Sequence, residues 1–156
     1  MFYIIYNYNL ELFNFRGSIW YFSFMGFCDG TLWQKLLGVG PALLDTVTQA
    51  QIAKADFYVE WNWLYCTAHN DLLEYLVTMG VFGAACRLLM YVLPFVMYTK
   101  GKERKPEKAA VLAALVGYLG QGLFTGPYIL TYVLYTIFLG VLGAYCRMEK
   151  EKGAEA

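Results

Sequence analysis

Charge is scarce in this sequence, and so is anything that could bind a metal. Only 15% of the residues are charged, while 59% are hydrophobic and 19% aromatic. A soluble domain carries roughly 25% charged residues to cover its surface. A chain of 156 residues makes one domain at most and has too little interior to hide so much apolar side chain. The surplus is therefore expected to face lipid or a partner. A formal net charge of zero lacks the basic footprint of a nucleic-acid binder. The chain has one histidine and four cysteines, Cys28, Cys66, Cys86 and Cys146, with no CxxC pair, so neither a zinc site nor a disulfide framework is expected. Cys86 and Cys146 fall in apolar runs and read as small core hydrophobes. No metal and no cofactor is anticipated. A secretory signal is also missing: the start, MFYIIYNYNL, has no basic n-region and too short an apolar run.

Long apolar stretches dominate the second half. A helix needs about 20 residues to cross a bilayer. Residues 80–98 and 127–145 are long and apolar enough for this, and 109–124, the shortest, are nearly so. Gly126 and Pro127 break the second stretch from the third, with Pro127 suited to a first helical turn. The segment KGKERKPEK joins the first stretch to the second, and Arg147, Lys150 and Lys152 follow the third. Together these two segments hold eight of the twelve basic residues. Short Lys/Arg-rich flanks stay in the cytoplasm, and three spans put both on that side. Residues 1–79 then lie outside, with three basic residues (Arg16, Lys35, Lys54) against seven acidic ones. The expected architecture is an all-α integral membrane protein. An external loop region over 1–79 carries short amphipathic or interfacial helices, three transmembrane helices fill 80–148, and 149–156 form a cytoplasmic tail. Something must carry the external region across, so upstream transmembrane helices are expected and the chain reads as a fragment of a larger multi-helix protein; the alternative reading is a short protein whose aromatic N-terminus lies in the membrane interface.

Within the external region, residues 16–28 read as an interfacial helix with Trp20, Tyr21 and Phe22 at headgroup depth. Turns follow at Asp29-Gly30 and Gly38-Val39-Gly40-Pro41, then a polar helical stretch near 42–58. Residues 70–79 predict a short amphipathic helix. Leu72, Leu73, Leu76, Val77 and Met79 form its apolar side, and Asp71, Glu74, Tyr75 and Thr78 its polar side. Asn70 is suited to cap it, and Asp71 suits the positive end of its dipole. His69, the single histidine, lies just before that helix. An imidazole there is disfavoured as imidazolium by the helix end and is available as a base near neutral pH. The competing reading is a capping or core histidine without chemistry.

His69-Asn70-Asp71-Leu72-Leu73-Glu74 followed by Met79-Gly80-Val81-Phe82-Gly83 resembles the hallmark of the O-antigen ligase/polymerase family, an H-N-x-x-L-x stretch leading through G-(I/V)-x-G into a transmembrane helix. Arg16-Gly17-Ser18-Ile19-Trp20 resembles the family's R-x-x-x-W, and Leu37-Gly38-Val39-Gly40-Pro41 its G-x-G turn. The YLGQGLF stretch over 118–124 is also similar. The three motifs occur in the family's order, and the resemblance runs from about Arg16 to Arg147. It implies a glycosyltransferase of many membrane helices in the bacterial cytoplasmic membrane, with its catalytic loop on the external face. Such an enzyme acts in polysaccharide or lipopolysaccharide biosynthesis. Its donor is an undecaprenyl-diphosphate-linked glycan and its acceptor a glycan or a lipid-linked sugar, with neither nucleotide sugar nor metal. Carried over, His69 is the base that activates the acceptor hydroxyl, and Arg16 pairs with the donor diphosphate, for which a guanidinium is apt. The resemblance places the family's other phosphate-binding arginines upstream of the motifs found here.

Three further residues are candidates from their own positions. Asn70 and Glu74 lie beside His69 and are candidates to orient it or an acceptor sugar, against the plainer readings of a cap and a solvated helix face. Arg87 falls inside the first span, where an ionisable group faces protein or water. It either adds to a phosphate site or is a pair-bonded or snorkelling structural arginine. Trp61, Trp63 and Tyr65 are candidates for sugar stacking or interface anchoring. Two other functions remain open: a non-catalytic membrane protein or truncated remnant, and a fragment of a polysaccharide transporter. The near absence of polar residues within the spans, Arg87 and Gln121 apart, weighs against transport.

Overall fold

The computed structural model describes residues 16–55, 66–100, 105–125 and 129–154. All the regular structure among them is helical: α1 (Arg16–Asp29), α2 (Leu32–Leu37), α3 (Leu44–Lys54), α4 (Asp71–Lys100), α5 (Pro106–Gly122) and α6 (Ile129–Ala154). The predicted helices over 16–28 and 70–79 are there, and the polar stretch near 42–58 is helical as α3. Trp61, Trp63, Tyr65, the Gly126-Pro127 break and residues 101–104 of the first basic segment lie outside the described residues. One helix, α2, was not foreseen. Its signal is nonetheless local, a capping box in which the Thr31 hydroxyl accepts from the Gln34 N–H and the Gln34 side chain accepts from the Thr31 N–H.

The chain divides into two compact units, Met1–Arg87 with Leu123–Gly126, and Leu88–Gly122 with Pro127–Ala156. In the first, Ile19 and Phe22 of α1 bury against Ile52 of α3. A second cluster joins Leu44 of α3, Ala68 and Val77 of α4. Asp29 at the end of α1 accepts hydrogen bonds from Gln51 and Lys54 of α3 at 3.0 and 2.8 Å, which ties these helices at their far end.

In the second unit, Leu115 and Leu119 of α5 pack on Tyr135 and Leu142 of α6, with Met90, Tyr91 and Met97 of α4 alongside. Pro94 is inside α4. Proline has no N–H to give the carbonyl four residues back, and the Tyr135 hydroxyl donates to that carbonyl, of Met90. Cys146 donates to the Met97 carbonyl at 3.2 Å. Cys86, by contrast, is exposed. The expectation that it packs in a core is corrected, because its stretch of α4 turns its apolar side chains outward: Phe82, Leu88, Leu89 and Val92 are all exposed. By length and composition α4 is able to cross a membrane, and Tyr132–Met148 is a shorter apolar segment.

The long helix α4 is not one rod. Gly80 has φ 69° and ψ −170°, a combination open essentially to glycine alone. Asp71 and Arg87 form an ion pair, although sixteen residues of straight helix would separate them by roughly 24 Å. The two pieces must therefore fold back on each other at Gly80. The piece from Val81 to Lys100 rises about 30 Å, the thickness of a hydrocarbon core.

The break also recruits the Gly38 turn. Interrupting a helix leaves carbonyls without their intrahelical donors. The Val39 N–H donates to the Val77 carbonyl at 3.1 Å, and the Gly40 N–H to that of Thr78 at 2.9 Å. Gly38 has φ 83° and ψ 176°. A Cβ there would stand 2.1 Å from the Thr78 oxygen, and one at Gly80 would stand 2.3 Å from the Leu36 oxygen. The Gly38 turn and the Gly80 motif, far apart in the sequence, are thus one backbone junction. Gly80→Ala is expected to destabilise the protein by at least about 1–3 kcal/mol from backbone conformation alone. Gly117→Ala in α5, where a Cβ meets nothing within 4 Å, should instead gain up to about 1 kcal/mol. Thermal unfolding of the two variants in detergent measures the contrast.

The fold-back explains why the predicted sides of the 70–79 helix are only half right. Val77 is buried as expected, at 1% exposure. Asp71 and Thr78 are buried as well, at 1% and 6%, while Met79 is 39% exposed. The polar side is the one that becomes covered. Arg87 lies over it, pairing with Asp71 and facing the Tyr75 ring at 5.6 Å, and the Gly38 turn meets it at Thr78.

Candidate functional site

The site grows from the segment between Cys66 and Asp71, just ahead of α4. Asn70 caps the helix as predicted, its Oδ1 accepting from the Leu73 N–H at 3.0 Å. Its amide nitrogen donates to the Leu123 carbonyl at 3.2 Å. His69 has φ 47°, in the left-handed region where histidine, asparagine and aspartate are the side-chain-bearing residues most often found. Its N–H donates to the Thr67 hydroxyl at 3.1 Å. The imidazole is half-buried, and burial, followed by the positive charge of Arg16, holds its pKa below the ordinary histidine value of 6.5.

That second cause is informative, because Arg16 lies fifty-three positions earlier, on α1. Arg16 and Trp20 are four residues apart and share one face of α1. The Trp20 indole N–H donates to the Ala68 carbonyl at 2.8 Å. One helical face thus supplies an anchor for the peptide before His69 and a cation whose field reaches the imidazole.

No protein-family model, curated protein or solved structure matches this chain.

The local arrangement must therefore speak for itself. Of the five residues named from sequence, Arg16, His69, Asn70 and Glu74 come together around the α4 N-terminus. Asn70 and Glu74 are engaged with the backbone: Glu74 Oε2 accepts from the Ala68 N–H at 2.7 Å. Glu74 lies ahead of Gly80, outside the apolar stretch. Burial pushes its carboxyl pKa up, opposed by the hydrogen bonds from Ala68 and Thr67. It is not the solvated helix face of the plainer reading.

Arg87 stands apart. Its side chain and that of Asp71 are each 1% exposed, and its Nε donates to Asp71 Oδ2. The expectation of a phosphate-binding Arg87 is corrected to the pair-bonded alternative, because the fold-back at Gly80 seals the guanidinium against a carboxylate.

Sequence reading gave Trp20 the part of a headgroup anchor and missed its bond to Ala68. The signal available was the i,i+4 spacing of Arg16 and Trp20, which places them together but does not say on what. Among the described residues no group of His, Cys, Asp and Glu is arranged to hold a metal. An open apolar groove of about 250 Å³ between α5 and α6, lined by Leu115, Tyr118, Gln121, Tyr135 and Phe138 among others, contains none of the candidate site residues.

What the site can do follows from its parts. A neutral, half-buried imidazole accepts a proton. A guanidinium close to it binds and stabilises an oxyanion, phosphate above all.

Proposed function

We propose that this protein transfers a glycan from undecaprenyl diphosphate to a sugar hydroxyl at the external face of a bacterial cytoplasmic membrane, as an O-antigen ligase or polymerase does. The observation that carries the reading is the bond from the Trp20 indole to the Ala68 carbonyl, which ties the helix turn bearing Arg16 to the peptide before His69; the family resemblance assigns Arg16 and His69 to one reaction. A membrane setting is supported by the exposed apolar side chains of α4 and α6, Phe82, Leu89, Leu134 and Ile137 among them. In this reading the later part of α4, α5 and α6 are the three spans, and residues before Gly80 lie outside.

The chemistry assigns one task to each group. His69 removes the proton of the acceptor hydroxyl as its oxygen attacks the anomeric carbon. The new carbon–oxygen bond forms as the bond to the diphosphate breaks, with inversion, and the electron pair leaves on undecaprenyl diphosphate. Arg16 stabilises the charge that develops there. Burial and the charge of Arg16 lower the His69 pKa from its ordinary value, which favours the unprotonated base.

Membranes from cells carrying the gene are expected to transfer a labelled glycan from undecaprenyl diphosphate to an acceptor, and membranes from a deletion strain are not. Equal transfer by both would remove the reading. The exposed Cys66, three residues before the base, reports the side of the membrane. Kept as the sole cysteine, it should react with an impermeant maleimide in intact spheroplasts. Labelling only after permeabilisation would put His69 on the wrong face.

A further inference from the structure

We infer that Trp20 and Glu74 are the positioning residues of this site, clamping the Ala68 peptide from two helices and so aiming the His69 imidazole. This rests on the reading of His69 as the base, which it deepens.

The geometry is specific. Both backbone polar atoms of Ala68 are taken by side chains: its N–H by Glu74 at 2.7 Å and its carbonyl by the Trp20 indole at 2.8 Å. Ala68 is 0% exposed and packs with Leu44 and Val77, so apolar contacts fix its side chain while the clamp fixes its peptide. The next residue, His69, is neither in a helix nor in a strand. Its positive φ is a conformation that survives only where the surroundings over-determine it. The clamp on Ala68 does this from one side and the Asn70 cap from the other.

A base must stay within hydrogen-bond reach of the proton it abstracts, and small displacements of a reacting group cost large factors in rate. A histidine on a free turn has no such constraint. Glu74 and Trp20 supply it without touching the imidazole by any hydrogen bond described. The charged groups on the elements packed here include Arg16 from α1, whose charge acts on His69, and, on α4, Glu74, which holds the Ala68 N–H, and Asp71, which is paired with Arg87.

The single histidine makes the test direct, since the full chain in lipid nanodiscs gives one imidazole Cε1–H signal whose titration belongs to His69. Wild-type protein is expected to titrate below 6.5. Trp20→Phe keeps an aromatic side chain, though a smaller one, and removes the N–H, and Glu74→Ala removes the acceptor. Each should move the titration upward as the imidazole swings into solvent, and each should lower kcat more than it raises KM. Glu74→Gln keeps an acceptor oxygen and should hold the wild-type titration. A wild-type titration in both Trp20→Phe and Glu74→Ala would overturn the clamp. Should Glu74→Ala fail to fold, Trp20→Phe decides alone. An upward shift in these variants, together with undiminished transfer by a protein lacking the imidazole, keeps the clamp and removes the base, so the two failures are distinguishable.

Discussion

His69→Asn should lower transfer by about 10²–10⁴-fold, the usual contribution of a positioned general base, while leaving the fold intact. Asparagine is the informative replacement. At φ 47° an alanine bears the left-handed steric penalty of roughly 1–2 kcal/mol, so a loss in His69→Ala would mix strain with chemistry. Asparagine tolerates that backbone and offers no base near neutral pH.

The pH profile separates the roles further. Burial first and Arg16 second lower the imidazole pKa, so kcat/KM should stay level through neutrality and fall on an acid limb that lies below pH 6.5. Arg16→Gln should move that limb upward, though not all the way, because burial is the larger cause. Stability follows the same linkage. Between the folded and unfolded pKa values the unfolded chain binds more protons. This contribution is therefore complete above pH 6.5 and is lost as pH falls from there through the folded value. An unchanged rate in His69→Asn would dismiss the imidazole as base, whatever the membrane topology.

How much of this was legible in the residues differs from element to element. The helix at 16–28, the Asn70 cap and the entry to a long apolar helix at Gly80 all depend on local pattern and chemistry, and local pattern was enough. The capping box of Thr31 and Gln34 is equally local, but a helix of six residues is too short for any periodicity to show. The burial of Asp71 and Thr78 was not local. It follows from a reversal at Gly80 that brings Arg87 across sixteen positions, and a hydrophobicity pattern contains no term for a polar side covered by an ion pair and a turn. The same holds for the site. His69 and Arg16 stood out as residue types in recognisable motifs. That Gly38 and Gly80 share one junction, and that Trp20 holds the carbonyl next to the base, are tertiary facts that spacing along the chain cannot express. Arg87 was weighed between two roles on its depth in an apolar stretch, and depth alone could not choose because its partner lies beyond the break.

Arg87→Met should destabilise the protein by about 3–5 kcal/mol, the usual consequence of stranding one member of a buried pair. The Asp71 carboxylate would then sit at 1% exposure without the guanidinium it now faces, and neither methionine nor the Tyr75 ring replaces that charge. The double variant Asp71→Leu with Arg87→Met should recover most of the loss, because an apolar pair of similar volume removes the desolvation cost of both ions. Near-UV circular dichroism on heating in detergent measures both. The comparison also bears on the site. Asp71 is two residues from His69 and opens α4, so the ion pair holds the site-bearing piece of α4 down on the piece beyond Gly80. If stability alone were its purpose, the apolar double variant would transfer as the wild type does. If the charge pair fixes the register of the fold-back, the double variant should be as stable as wild type yet transfer more slowly, with its His69 titration moved upward. Wild-type stability in Arg87→Met would mean that the two side chains do not meet, and the reversal at Gly80 would lose the observation on which it rests most.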